Sequence, residues 1–265
     1  MKIGLTAMNQ IWESKSVNMI GCNKLAEIAA KNDVDLLIFP EMTLTGFSLA
    51  TQVVSEDINS SNTLHQFSAT AENYNLGVIA GMVLNDHGVY SNCAVAFDRQ
   101  GEQLSCYAKI HPFSLSGENR YVTGGDELAT FEYEGFRFGL TICYDLRFPL
   151  LWYALAENCD CIINIANWPA RRIDHWKTLL QARAIENQIY VIGINRVGID
   201  GNNLEYSDSS YVFSPDGSML SSIVVDEGFR IVEIDKAMVI KCQADFPARK
   251  DRRVELYKKL LFNEI

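Results

Sequence analysis

Short apolar segments alternate with helix-patterned segments along most of this chain, and this alternation restricts the fold more than any other feature. Residues 35–39 (DLLIF) and 161–166 (CIINIA) are apolar at nearly every position, as strands are when both faces of a sheet are covered. By contrast, residues 16–31 repeat apolar side chains at helical spacing. The pattern therefore predicts an α/β protein. Taken alone, it fits a doubly wound sheet and a sheet sandwich with outer helices equally well.

The same criteria assign the remaining elements. We predict helices over 16–31, 63–74, 149–157 and 173–187, and strands over 2–8, 35–39, 77–84, 93–98, 104–109, 136–143, 161–166 and 189–195. Towards the C-terminus, segments 210–214 and 219–225 flank a Pro-Asp-Gly turn and predict a hairpin, followed by a strand over 229–234. No break in composition marks a linker, so the sequence predicts one domain over residues 1–265.

Charge and hydropathy exclude several classes of function. The 265 residues carry a formal net charge of −10, which repels the phosphates of nucleic acids and of anionic lipids. No apolar run approaches the roughly 20 residues that span a bilayer. We therefore expect no nucleic-acid or membrane partner, and a small molecule as the substrate.

The seven cysteines bear on compartment and on metal binding. Their odd number, with no signal peptide, predicts reduced thiols in a cytoplasmic protein. Cys159 and Cys161 are separated by one residue, but no second pair of ligands completes a zinc site. We expect neither a metal nor another cofactor.

Cys143 is the strongest candidate for a catalytic group. It follows the apolar run RFGLTI and precedes YDLRFP, so a strand supports it from behind while a turn exposes its thiol. Free cysteines are also among the most buried side chains, and packing explains the other six. A thiol with an ordinary pKa of about 8.5 is mostly protonated at neutral pH, so catalysis requires a base beside it.

Two charged residues at strand ends are candidates for that base and for a cation. Glu41 follows Pro40 after the DLLIF strand, and Lys109 follows the strand that ends in YA. Ligand sites of open α/β sheets form at the carboxyl ends of strands. Either residue alone is more typical of an ordinary charged strand terminus.

Together, three segments resemble the nitrilase, or carbon–nitrogen hydrolase, superfamily. FPEMTLTGF, YAKIHPF and TICYDLRFP occur in this order, and the resemblance spans nearly the whole chain. It implies an active centre of Glu41, Lys109 and Cys143, with a second glutamate at Glu118 in SGENRY. It also implies an α/β fold of four layers, α-β-β-α, usually assembled as a homodimer through helices and the C-terminal segment.

Within the superfamily the chain is most similar to the omega-amidases, including their bacterial branch. The segments CYDLRFPLLW, NIANWPARR and YSDSSYVFSPDG carry this likeness. It implies hydrolysis of the terminal amide of a 2-oxo dicarboxylic acid monoamide, such as 2-oxoglutaramate. One departure is visible, because Asp208 and Ser209 precede Ser210 where that branch often has Gly-Asp. Since this loop lies near the pocket rim in the family, we expect it to affect substrate preference.

The residue types suit amide hydrolysis. Glu41 can accept the thiol proton and return it to the leaving nitrogen, and Lys109 can bind the tetrahedral oxyanion together with the backbone N–H of Tyr144. Attack by Cys143 gives a thioester, which a water activated by Glu41 and positioned by Glu118 then hydrolyses.

An anionic substrate also needs a cation away from the reacting carbon. Arg171 is the favoured residue, because it follows the 161–166 strand and lies close to Trp168 in sequence; Arg172 is the alternative. Arg147 is expected to pair with Asp145 within its own turn. Trp168 and Tyr144 are candidate pocket walls, although packing explains both equally well.

Three alternatives remain open at this stage. A papain-like pairing of Cys143 with a histidine is a second mechanism. Separately, His111, two residues after Lys109, would point to the same side of an extended segment, which leaves a supporting role open for it. A true nitrilase, or another amidase of the superfamily, would use the same residues. A binding subunit could retain the fold without turnover.

Overall fold

The structure is a computed structural model that describes the backbone of residues 1–262 and the side chains of residues 1–261. The last three residues of the predicted 1–265 domain lie outside the described residues. Fifteen strands are assigned in the described range: β1 Lys2–Thr6, β2 Leu36–Ile38, β3 Glu56–Asp57, β4 Gly77–Asp86, β5 Val89–Phe97, β6 Gln103–Ala108, β7 Thr130–Tyr133, β8 Phe136–Ile142, β9 Cys161–Ala166, β10 Tyr190–Asn195, β11 Gly198–Ile199, β12 Glu205–Tyr206, β13 Tyr211–Phe213, β14 Ile223–Asp226 and β15 Phe229–Glu233.

Seven α-helices and five short 3₁₀ helices complete this range. The α-helices are α1 Lys15–Lys31, α2 Thr51–Val54, α3 Asn62–Tyr74, α4 Pro149–Ala156, α5 Ile173–Asn187, α6 Lys236–Asp245 and α7 Val254–Phe262. The 3₁₀ helices are Ser114–Ser116, Glu118–Arg120, Cys143–Arg147, Ala170–Arg172 and Ala248–Asp251. Across residues 1–262, no helix combines the length and apolar character needed to cross a membrane.

Two large sheets form the centre of the molecule. The first has eight strands in the order β14-β15-β1-β2-β4-β5-β6, with β3 also paired to β4. The second has five strands in the order β13-β10-β9-β8-β7. In the first sheet β1, β2 and β4 are parallel, and in the second β8, β9 and β10 are parallel.

The strands are apolar on both faces because each sheet is covered on both sides. In β9, Ile163 and Ile165 pack between the two sheets, while Ile162 packs against the outer helices. In β2, Leu36 and Ile38 face the other sheet and Leu37 faces the helices. Helices α1 and α3 cover the first sheet, and α4 and α5 cover the second. This confirms the four-layer α-β-β-α sandwich.

The predicted hairpin between 210–214 and 219–225 is wrong. β13 pairs with β10 in the second sheet, whereas β14 pairs with β15 in the first. A single bridge between Phe213 and Met219 is the contact that remains of the predicted ladder. The Pro-Asp-Gly turn is present, but the chain uses it to cross from one sheet to the other. β7 was not predicted.

The topology brings several strand ends to one edge of the sandwich. Glu41 follows β2, Lys109 follows β6, Cys143 follows β8 and Asn167 follows β9. The first two leave the eight-stranded sheet and the last two leave the five-stranded sheet. Residues more than 100 positions apart in the chain therefore meet across the interface between the sheets.

Candidate active site

Cys143 occupies a tight turn between β8 and the 3₁₀ helix that it begins. Its φ angle is +44°, in the left-handed region that a residue with a Cβ seldom adopts. Such conformations persist where the surrounding structure enforces them, and they cluster at functional sites. The residue is partly exposed, and its Sγ lies 4.0 Å from the carbonyl oxygen of Asn167. The turn thus presents the thiol at the edge of the sheet.

A buried cluster of charges lies behind the thiol. Glu41 and Glu118 are fully buried, and Lys109 is 1% exposed. The Nζ of Lys109 donates to Oε1 of Glu41 at 2.9 Å, and to Oε2 and Oε1 of Glu118 at 2.9 and 3.2 Å. The structure therefore brings together the glutamates and the lysine that the sequence singled out.

The electrostatics of the cluster favour a charged lysine and a protonated thiol. Burial opposes the ammonium, but the carboxylates of Glu41 and Glu118 outweigh it and raise the pKa of Lys109 above its ordinary value. Burial, and then the negative charge of Glu41, raise the pKa of Cys143 well above that of a free thiol, although Lys109 acts in the opposite direction. In the free protein Cys143 is accordingly a thiol that needs a neighbouring base.

Two buried asparagines, which the sequence analysis did not single out, hold the carboxylates in place. Asn92, on β5, donates from Nδ2 to Oε1 of Glu41 at 2.8 Å and to Oε1 of Glu118 at 2.9 Å. The backbone N–H of Asn167 donates to Oε2 of Glu41 at 2.9 Å, and its side chain donates to the carbonyl of Glu41. Asparagines within or just after apolar strands have no distinctive spacing. NIANWPARR, which contains Asn167, was the only available sequence signal.

Asp145 ties the lysine segment to the cysteine turn, and this corrects the predicted Arg147–Asp145 pair. The buried carboxylate accepts hydrogen bonds from the hydroxyl of Tyr107 at 2.8 Å and from the backbone N–H groups of Ile142 and His111, both at 3.0 Å. The ring Nδ1 of His111 is 2.8 Å from the same carboxylate. Arg147 instead lies over the ring of Trp168, with its guanidinium carbon 4.9 Å from the ring centroid.

A cavity of about 280 Å³ opens in front of Cys143. Its lining includes Lys109, Tyr144, Trp168 and the three arginines, together with apolar side chains such as Phe47 and Leu115. No carboxylate belongs to this lining among the described residues. The cavity therefore combines apolar walls with an excess of positive charge, which suits a small anionic molecule.

The arginines differ in their exposure and their contacts. Arg171 is exposed, whereas Arg172 is partly buried and its guanidinium carbon lies 5.5 Å from the ring centroid of Phe113. Burial, and then the charge of Arg171, lower the pKa of Arg172. Trp168 is 3% exposed, and its indole N–H donates to the carbonyl of Arg172, so it forms part of the wall while packing in the core. Tyr144 contacts the ring of Phe113 at a centroid distance of 4.8 Å.

The loop with the unusual Asp208–Ser209 sequence lies behind the cavity. Asp208 forms an ion pair with Arg230, and neither Asp208 nor Ser209 belongs to the lining. The Oγ of Ser209 accepts a hydrogen bond at 2.9 Å from the side chain of Asn195. Asn195 in turn bonds to both the N–H and the carbonyl of Trp168. The contact with the cavity wall is therefore indirect.

No group of three or more His, Cys, Asp or Glu side chains in the described part of the chain is placed to hold an ion. The ammonium of Lys109 provides positive charge near Cys143.

The fold and this cluster of cysteine, lysine and two glutamates define a class of α-β-β-α hydrolases, and comparison with known proteins gives the same class. The profile of the Carbon-nitrogen hydrolase family matches residues 2–244. Omega-amidase YafV of Escherichia coli strain K12 is 32% identical over 252 residues, which cover 95% of this chain and 96% of that protein. The 2-oxoglutaramate amidase of Bacillus subtilis strain 168 is 33% identical, with 84% and 86% covered.

A solved structure shows the same relationship in three dimensions. A CN-hydrolase superfamily protein of Xanthomonas campestris, crystallised with an arsenic adduct in its active site, superimposes with a TM-score of 0.87. It is 30% identical, and the match covers 95% of this chain and 97% of that one. The chain belongs to the carbon–nitrogen hydrolase family, the nitrilase superfamily. It is an amide-hydrolysing enzyme of that family.

Proposed function

We propose that this enzyme is a cysteine-dependent amidase that removes the terminal amide of a small carboxylated substrate, a 2-oxo dicarboxylic acid monoamide such as 2-oxoglutaramate. The observation that carries the proposal is the buried Glu41–Lys109–Glu118 cluster, which lies next to Cys143 at the base of an arginine-lined cavity. The names of the Escherichia coli and Bacillus subtilis relatives support the choice of substrate.

In the first half of the reaction, Glu41 takes the proton of Cys143 as Sγ attacks the amide carbon. The carbonyl oxygen becomes an oxyanion, which Lys109 and the backbone N–H of Tyr144 stabilise; one such donor contributes about 3–4 kcal/mol. Protonated Glu41 then transfers the proton to the nitrogen, the C–N bond breaks and ammonia leaves. A thioester of Cys143 remains. The raised pKa of the thiol favours proton transfer to Glu41 together with the attack.

In the second half, water hydrolyses the thioester. Glu41 accepts a proton from the water, its oxygen adds to the thioester carbon, and Lys109 and Tyr144 again bind the oxyanion. Collapse breaks the C–S bond, and the thiolate recovers its proton from Glu41. Glu118 also accepts hydrogen bonds from Lys109 and helps to position the water.

Recognition of the substrate carboxylate is assigned to the arginines of the cavity. Arg171 is the favoured residue, and Arg172 lies beside it in the same 3₁₀ helix. A guanidinium binds a carboxylate through two parallel hydrogen bonds, which fixes the amide end of the substrate relative to Cys143. Tyr144 and Trp168 then form the walls along the carbon chain.

Ammonia release from 2-oxoglutaramate tests the proposal. The wild-type enzyme should release ammonia and Cys143→Ala should not, whereas Cys242→Ala, a change in a partly exposed thiol of α6, should keep full activity. Rates with a nitrile of the same carbon skeleton separate an amidase from a nitrilase. A folded protein that is inert towards a broad panel of amides and nitriles would contradict catalysis and favour a binding subunit.

We further propose one domain over the whole chain, a homodimer and a cytoplasmic location. Three apolar side chains of the C-terminal part are exposed and support a contact between subunits: Ile240, Phe246 and Leu260. The seven cysteines are all unpaired, in keeping with a reducing compartment. Light scattering of the purified protein distinguishes a dimer from a monomer.

A further inference from the structure

Asn92 contacts all three charged residues behind Cys143, although it carries no charge itself. Its two side-chain N–H groups bind Glu41 and Glu118, and its backbone carbonyl accepts a hydrogen bond from the N–H of Lys109 at 2.8 Å. The residue is 1% exposed. Asn92 is therefore fixed to the cluster at three points.

The orientation of this amide follows from the charges around it. Its Oδ1 is buried, and no protein group in residues 1–262 donates to it. Rotating the amide by half a turn would point that oxygen at two carboxylates, which are acceptors only. The N–H groups must consequently face the glutamates, although this leaves the buried oxygen without a protein donor in the described residues.

The hydrogen bonds of Glu41 are distributed unequally between its two oxygens. Oε1 accepts from both Lys109 and Asn92, which fills its two lone-pair directions. Among the described residues, Oε2 accepts from one donor, the N–H of Asn167. The carbonyl of the same Asn167 lies 4.0 Å from Sγ of Cys143, so the residue that donates to Oε2 also contacts the thiol.

We propose that Asn92 is a positioning residue for proton transfer, because by occupying Oε1 of Glu41 it leaves Oε2 as the oxygen that takes the proton from Cys143. The inference rests on the proposed function of Glu41 as the base. The same amide binds Oε1 of Glu118 and so keeps two buried carboxylates side by side. In the part of the chain that is described, the titratable groups around Glu41 are Lys109, Glu118, which Asn92 links to it, and Cys143.

The pH dependence of kcat/KM for ammonia release tests this role. Asn92→Asp replaces the donor with a third carboxylate, which disfavours ionised Glu41, so the acidic limb should move to higher pH by about one unit or more. Asn92→Ala removes the donor without adding charge, and its limb should move in the same direction by less. Both variants should lower kcat at least tenfold with little change in KM, because Asn92 does not line the cavity.

Asn164→Asp is the matched control. Asn164 is also fully buried in a strand, donates one side-chain hydrogen bond, to Thr141, and has an unpartnered Oδ1, but it does not contact the carboxylates. Its variant should keep the wild-type pH profile. Melting curves verify that each variant is folded.

The outcomes separate this inference from the proposed function. If Cys143→Ala retains ammonia release, the proposed function itself fails. If that variant is inactive but both Asn92 variants keep the wild-type profile, or change only as Asn164→Asp does, the role of Asn92 is refuted. Unfolding of both Asn92 variants while Asn164→Asp folds would show a purely structural role and also refute it.

Discussion

Gly81 of β4 packs against the backbone of Glu41, and adding one methyl group there should impair this proposed base without changing its carboxylate. A Cβ at this position would lie 2.4 Å from the backbone nitrogen of Met42 and 2.8 Å from Cα of Glu41. Ordinary contacts begin at 3.4 Å, so the Gly81→Ala variant must displace the Glu41 segment by up to about 1 Å. Both contacts are with backbone, which cannot rotate away.

The expected effect on catalysis exceeds the effect on stability. The carboxylate of Glu41 makes three hydrogen bonds of 2.8 to 2.9 Å, and a shift of this size breaks their geometry. Misplacement of a catalytic group by about 1 Å costs on the order of a hundredfold in rate. Overpacking of a core typically lowers the free energy of unfolding by about 1–3 kcal/mol. We therefore expect a folded enzyme with about 1% of the wild-type kcat.

Steady-state ammonia release and urea denaturation measure these two quantities. Gly21→Ala is the control, because Gly21 lies within α1 and its added Cβ meets only the end of Met8, at 3.8 Å. This change should leave kcat unaltered and stabilise the protein by about 0.5–1 kcal/mol. A Gly81→Ala enzyme that loses stability but keeps the wild-type kcat would refute the reasoning, since it would show that Glu41 tolerates the displacement.

Three further substitutions test the electrostatics of the thiols and of the buried cluster. Lys109→Met leaves two buried carboxylates without their cation and should lower the free energy of unfolding by about 3–5 kcal/mol in urea titrations; an unchanged midpoint would argue against the ion pairs. Glu41→Gln should abolish ammonia release yet speed the alkylation of Cys143 by iodoacetamide between pH 7 and 9. The anion of Glu41 raises the pKa of Cys143, so a neutral side chain lowers it and increases the thiolate fraction; slower alkylation throughout that range contradicts the assigned charge effect. Cys106→Ser should remove the fastest phase of the reaction with Ellman's reagent at pH 8, because Cys106 is exposed and a hydrogen bond from Cys93 lowers its pKa; persistence of that phase assigns it to another thiol.

The sequence predicts best those elements whose pattern of apolar residues can be recognised within a single segment. The strand 161–166 and the helix 173–187 agree with the structure at both ends. The prediction of a hairpin over 210–225 was wrong because its turn residues determine only a local reversal of the chain, whereas the partner of each strand depends on residues that are distant in sequence. β7 was not predicted, and it has only four residues.

The site shows the same division between local and distant information. Glu41, Lys109, Cys143 and Glu118 were identified through strand ends and a family resemblance, and the structure places them together. Asn92 was missed, since an amide within an apolar strand looks like any other buried polar residue. The predicted Arg147–Asp145 pair was wrong because proximity in sequence carries no information about Tyr107, on β6, and His111, in the segment after β6, which contact that carboxylate instead.

Because the site is divided between two sheets, the activity of this enzyme depends on the relative position of the two sheets. Glu41 and Lys109, the proposed base and cation, follow strands of the eight-stranded sheet, and Cys143, the proposed nucleophile, follows a strand of the five-stranded sheet. A small rotation of one layer over the other would separate them while leaving every strand and helix formed. Mild denaturant or heat should therefore abolish turnover reversibly under conditions in which the far-ultraviolet circular dichroism spectrum, which reports secondary structure, still matches that of the native enzyme.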